Sequence, residues 1–217
     1  MISGPPSSSL PALRQLLAER FPASVRASDD VFPTGLPAID TVAGGLPRPG
    51  LTELVCSAPS CGSQLFLGRL LQLTRDQGLR VALVDCDHFD PTSWPVHLFE
   101  HLVWVRARQT EEAIAAADLL ARDANFGLLV LDLRQTAAAE LRRIPSTRWY
   151  RLQRAIEPTN LTGLVLTPYP LVPSSRLRLS LTSSHTLADQ KRLRPDLTAD
   201  LAPQFLRQRM ATFGTAS

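Results

Sequence analysis

The chain has 217 residues, a formal charge of +3, and 44% hydrophobic and 20% charged residues. That length suits one α/β domain able to bury about 70% of its unfolded surface, and no apolar run approaches the roughly 20 residues of a membrane span. Three cysteines, Cys56, Cys61 and Cys86, show no C-x-x-C spacing, so neither a disulfide framework nor a zinc ribbon is indicated.

Charge is unevenly placed. Residues 1–133 carry 10 Arg/Lys against 15 Asp/Glu, a net of −5, whereas residues 134–217 carry 13 against 5, a net of +8. The basic half invites a nucleic-acid reading, although arginine outnumbers lysine 22 to 1 throughout, which is also the mark of a compositional bias. The first 30 residues lack the basic-then-apolar layout of a signal peptide, so a cytoplasmic protein is expected.

In chain order, a Pro/Ser/Gly-rich start is followed by Leu10, Leu13, Leu16, Leu17 and Phe21 at helical spacing. Such a stripe needs a partner, either the chain's own domain or a second protein. The segment PTGLPAIDTVAGGLPRPG (33–50) is turn-rich around Leu36, Ile39 and Val42. A strand (51–56), a small-residue loop (57–62) and a helix (62–77) come next, the order of a phosphate-binding loop. The G-x-x-x-x-G-K-[ST] pattern of such loops supplies amides around phosphates, a lysine on the β/γ-phosphates and a hydroxyl on magnesium. Here Ser57 holds the first glycine's place, Gly62 the second, and Ser63 and Gln64 stand where lysine and Ser/Thr belong. The only lysine of the chain is Lys191.

Further strands are predicted at 80–85, 102–106, 127–133 and 162–167, and helices at 91–101, 110–124 and 147–157. Continuous apolar strands separated by helical patterns predict an α/β fold, a mixed, mainly parallel sheet covered by helices on both faces. In RLRLSLT (176–182) leucines alternate with Arg176, Arg178 and Ser180, predicting a strand with one apolar and one basic or polar face. The segment 204–213 is expected to pair with it as a C-terminal antiparallel extension, with 195–203 as loop. The divisions are a tail and amphipathic helix (1–30), a core (31–182) and a basic extension (183–217).

The stretch TGLPAIDTVAGGLPRPGLTELVCSAPSCGSQLF resembles the opening of RecA-type recombinase cores. It is most similar to the ImuA family, RecA-like proteins of bacterial mutagenic repair cassettes, through Thr34, Gly35, Ile39, Asp40, Gly44, Gly45, Pro47, Gly50, Glu53 and Leu54. The resemblance spans about residues 31–182 and implies a RecA-like core. It also implies a non-hydrolysing accessory protein of the SOS DNA-damage response that supports translesion synthesis. The implied partners are a RecA-type recombinase, a Y-family polymerase-like protein and, as a further ligand, DNA; no enzyme activity and no cofactor are implied. The alternatives are a SulA-type cell-division inhibitor and an ATP-dependent RecA-like switch.

In RecA-like ATPases a carboxylate after the second core strand orients the attacking water, and Asp87 falls there, one methylene short of the usual glutamate. Asp132, at the end of GLLVLD, sits like the aspartate that holds magnesium. Without a loop lysine or hydroxyl both read as relic or structural carboxylates. Asp85, Asp87 and Asp90 fail as a calcium loop because Phe89 takes a ligand position and the turn glycine is missing. His97, Glu100 and His101 spell H-x-x-E-H, a zinc-protease pattern that needs a longer helix and a third ligand than the sequence offers. Candidate DNA or partner contacts are Arg142, Arg143, Arg148, Arg151 and Arg154 around Trp149 and Tyr150, followed by Arg176 and Arg178. Candidate partner anchors are Leu13, Leu16, Leu17 and Phe21.

Overall fold

The structure, a computed structural model, describes residues 30–86, 89–182 and 185–208. A two-stranded antiparallel ribbon, β1 (Asp30–Phe32) and β2 (Leu46–Arg48), brackets the short helix α1 (Pro37–Ala43). Within this entry segment Asp40 accepts hydrogen bonds from the Thr34 amide and hydroxyl and from the Gly35 amide, at 2.8 to 2.9 Å. Thr34, Gly35 and Asp40 therefore form one turn-closing cluster.

The main sheet has seven strands in the order β5 (Leu102–Arg106), β4 (Arg80–Asp85), β6 (Phe126–Asp132), β7 (Thr162–Thr167), β3 (Gly50–Val55), β8 (Leu177–Ser180) and β9 (Gln204–Gln208). Every pairing is parallel except β8 with β9, the predicted antiparallel extension. Side chains alternate across a pleated strand, so successive residues feed two cores. Leu54, Leu83, Val130 and Leu166 pack on one face with Phe66, Leu67 and Leu70 of α2 (Ser63–Asp76). Leu51, Val84, Leu131 and Val165 pack on the other with Ile114 of α3 (Thr110–Leu120) and with Trp149, Leu152 and Ile156 of α5 (Ser146–Ile156). A short α4 (Ala138–Leu141) precedes α5. The chain is thus an α/β protein with a mainly parallel sheet between helical layers.

Two expectations fail locally, both at prolines. The predicted helix 91–101 is instead a pair of 3-10 turns, Pro91–Ser93 and Val96–Phe99, with Trp94 extended between them at φ −122 and ψ 148. A residue before proline is pushed out of helical geometry, and Pro95 applies that constraint in mid-segment. Conversely, the predicted loop 195–203 contains α6 (Arg194–Ala199), where Pro195 lies in the first turn. There its missing N–H has no intrahelical partner to lose.

Glu53 of β3 is buried completely and heavily hydrogen-bonded. Its Oε1 accepts from the Thr167 hydroxyl and the Leu171 and Val172 amides, and its Oε2 accepts from Arg178 Nε at 2.5 Å. Arg178 also donates to the Val172 carbonyl at 2.9 Å. Leu171 and Val172 are thereby anchored to β3 and β8.

Candidate functional site

At the C-terminal end of β3 the Cys56 amide donates to the Thr167 carbonyl at 2.8 Å, and the chain leaves the sheet through a loop with Ser60 at φ +57 and Gly62 at φ +90. Both residues use the left-handed region, which L side chains avoid and glycine tolerates. Gly62 caps α2. A Cβ at that position would meet Leu201 Cδ2 at 2.3 Å, but it is the left-handed φ that calls for glycine. The strand, loop and helix follow one another in the order the sequence suggests.

A charge absent from the loop arrives from the end of β6, two strands away. Asp132 closes β6 with 1% exposure, and Arg134, two residues on, folds back onto it. Arg134 Nε donates to Asp132 Oδ1 at 2.9 Å and Nη2 to Oδ2, while Nη1 donates to Ser63 Oγ at 2.5 Å. The guanidinium side chain is only 11% exposed. Bidentate arginine–carboxylate contacts are among the stronger hydrogen-bonded pairs, so this cation is held firmly.

A magnesium nucleotide would need the aspartate and a loop hydroxyl for the ion, and a cation beside the phosphates. Asp132 and the Ser63 hydroxyl are both engaged by one protein guanidinium, and Gln64 carries no hydroxyl. The residues present do not fit that group. The loop is also covered from the C-terminal side: the His185 amide donates to the Ser60 carbonyl at 3.4 Å, and buried Leu201 lies against Gly62. A cleft of about 800 Å³ remains, with Cys56, Ser57, Gln64, Arg134, Gln135 and His185 among its lining residues.

The two loop cysteines form a second feature of the site. Cys56 is 8% and Cys61 2% exposed, and the Cys56 thiol donates to the Leu54 carbonyl at 3.7 Å. The Cys56 thiol, the Ser63 amide and hydroxyl, and the nearby Arg134 cation favour charge on Cys61, pulling it down to about 5 against the opposing effect of burial. The contact with Cys61 and burial push Cys56 up. Cys86, outside the pair, is raised chiefly by burial.

Other expected site residues are dispersed. Asp87 and the N-terminal stripe of Leu13, Leu16, Leu17 and Phe21 lie outside the described residues. Trp149 is not available for base stacking, because it is 1% exposed in the core beneath α5. Its spacing with Leu152, Gln153 and Ile156 puts it on the buried face of that helix. Arg178 is likewise corrected from surface contact to the buried partner of Glu53. Arg176 is half-buried and donates to the Pro49 carbonyl at 3.0 Å. Arg151 pairs with Asp118 at 2.9 Å. Arg142, Arg143, Arg148 and Arg154 are exposed together with Tyr150, the first two just after α4 and the others on α5.

The H-x-x-E-H residues do not converge. Glu100 pairs with Arg75 at 2.7 Å, and His101 Nε2 lies 2.9 Å from the Thr74 hydroxyl. No His/Cys/Asp/Glu cluster suited to a metal occurs among the described residues, nor is any helix there long and apolar enough to cross a membrane. Asp85 is a structural carboxylate that accepts from the Phe89 amide and Trp104 Nε1, each at 2.7 Å. Comparison with protein-family models and with curated proteins gives no match to either.

Arg134 is the site feature that sequence reading missed. A cation two residues beyond an aspartate at a strand end is the signal that points to Arg134, since a bend there returns the side chain to its neighbour.

Proposed function

We propose that this chain is a non-hydrolysing, RecA-like accessory protein of the bacterial SOS DNA-damage response. It acts in the cytoplasm and supports translesion synthesis by binding a recombinase, a Y-family polymerase-like partner and DNA. The observation that carries the reading is the Arg134 guanidinium between Asp132 and Ser63, where a nucleotide-driven relative would place its metal. A core of this kind without nucleotide has surfaces as its means of action. Support for the RecA-like assignment comes from the opening motif, whose Asp40 and Glu53 each organise a folded cluster. The exposed arginines after α4 and on α5 are suited to phosphates.

The test is capture of purified recombinase and polymerase-like protein by the full chain, with and without magnesium ATP. Equal capture in both buffers is expected. Capture that requires ATP would favour the nucleotide-switch alternative, and no capture of either protein would remove the accessory reading.

A further inference from the structure

A second cleft, of about 490 Å³, lies between α2, the two 3-10 turns and α6. Its apolar lining includes Leu65, Trp94, Leu98 and Pro195. The local sequence explains why it forms. Pro95 keeps Trp94 extended between the turns, and Gly68 of α2 makes room for the indole, since a Cβ there would meet Trp94 Cζ3 at 2.6 Å. Trp94 and Leu98 are each 6% exposed and form the floor. Val96 and Leu193, next in sequence to lining residues, are 80% and 71% exposed, so the turn and the start of α6 also present large apolar side chains to solvent.

The charges of this lining have one sign. Arg69 and Arg194 belong to it, and no Asp or Glu among the described residues does. The Arg194 guanidinium lies 5.9 Å from the Trp94 ring centroid. Arg69 is half-buried beside Gly35, where an added Cβ would come within 2.5 Å of Nε, and it makes no ion pair among the described residues. A half-buried guanidinium beside apolar surface, with no counter-charge of its own, favours an incoming carboxylate.

We propose that this groove is a docking surface for an acidic amphipathic segment of a partner protein. Leucine- or phenylalanine-type side chains pack over Trp94 and Leu98, and flanking carboxylates pair with Arg69 and Arg194. Such segments are read through anchors at i, i+3 or i+4 and i+7. Charge argues against the chain's own stripe at 10–21 as the occupant. At helical spacing Arg14 and Arg20 border its apolar side, where they would meet Arg69 and Arg194, whereas Glu19 falls opposite. The site stands apart from the recombinase and polymerase-like partners proposed above and is tested without either.

The experiment follows fluorescence polarisation of a fluorescein-labelled peptide of glutamate and leucine, its leucines at i, i+3, i+4 and i+7, titrated with the full chain. Saturable binding is expected, and the same peptide with lysine in place of glutamate should not bind. Arg69→Gln should weaken affinity about tenfold, as loss of one charge-assisted hydrogen bond does, while Arg154→Gln on α5 leaves it unchanged. Hydrogen exchange of the parent protein locates the site without any variant, because the peptide should slow exchange in residues 64–72 and 194–198. No saturable binding, the outcome if the 10–21 stripe or a second copy fills the groove, would overturn the proposal. Equal binding of the lysine peptide would also overturn it, as would protection confined to α5.

Discussion

Truncation of Arg134 tests the physical basis of the site. Its side chain is 11% exposed and Asp132 only 1%, so Arg134→Ala leaves a buried carboxylate whose remaining described donor is the backbone amide of residue 134 at 3.1 Å. Removing one partner of a buried ion pair costs about 3 to 5 kcal/mol. At about 2 to 4 °C per kcal/mol for a domain of this size, the melting temperature should fall by about 6 to 20 °C. Thermal unfolding followed by circular dichroism reads the shift, with Arg154→Ala as a surface control expected within about 0.5 kcal/mol of the parent. Adding Asp132→Asn to Arg134→Ala should recover part of the loss, because a neutral amide tolerates burial without a counter-charge. If Arg134→Ala melts with the parent and the control, Asp132 is solvated and the guanidinium does not hold the site.

Gly62→Ala should destabilise by about 1 to 2 kcal/mol, since φ is +90 and an L side chain is strained there; an unchanged denaturant midpoint would refute that backbone geometry. Burial acts to raise the Asp118 carboxyl, but hydrogen bonds from Arg151 and Arg122 prevail and hold it below the usual carboxylate range. Its charged form is thus favoured by folding, so this contribution is complete above the unfolded value near about pH 4 and is lost as pH falls through the lower folded value. Solvent screens both arginines, so Arg151→Ala should cost under about 1 kcal/mol at neutral pH and nothing at about pH 2, as melts at the two pH values would reveal. For the exposed Arg142, Arg143, Arg148 and Arg154, each glutamine replacement should flatten the dependence of log affinity on log salt for single-stranded DNA by about 0.7 per lost phosphate contact. Absence of salt-dependent binding at low ionic strength would argue against those contacts.

The parallel sheet was legible because its strands are short branched runs and its helices carry clear spacing. The 80–85 and 162–167 strands fall where the sequence puts them. Reading failed where one residue type has two structural uses. Pro95 interrupts a predicted helix and Pro195 opens one that was read as loop, because proline's effect depends on its position within the turn. Trp149 and Arg178 were misplaced for a related reason. An aromatic among arginines looks like a stacking platform until the helical phase turns it inward, and an alternating arginine looks solvated until a segment such as 171–174 folds over it. Loss of the loop lysine and hydroxyl was visible at Ser63 and Gln64. The replacement cation was not, because Arg134 meets Ser63 across 71 residues of sequence and only the pairing of β6 beside β7 and β3 brings them together.

The most direct measurement of whether this core works without nucleotide is isothermal titration calorimetry of the full chain with magnesium ATP. Asp132 and Ser63 are both committed to Arg134, and Leu201 lies against Gly62, so no magnesium-dependent binding is expected at micromolar nucleotide. Micromolar, magnesium-dependent affinity abolished by Asp132→Ala would contradict it, since that result requires the guanidinium to yield its place to a metal.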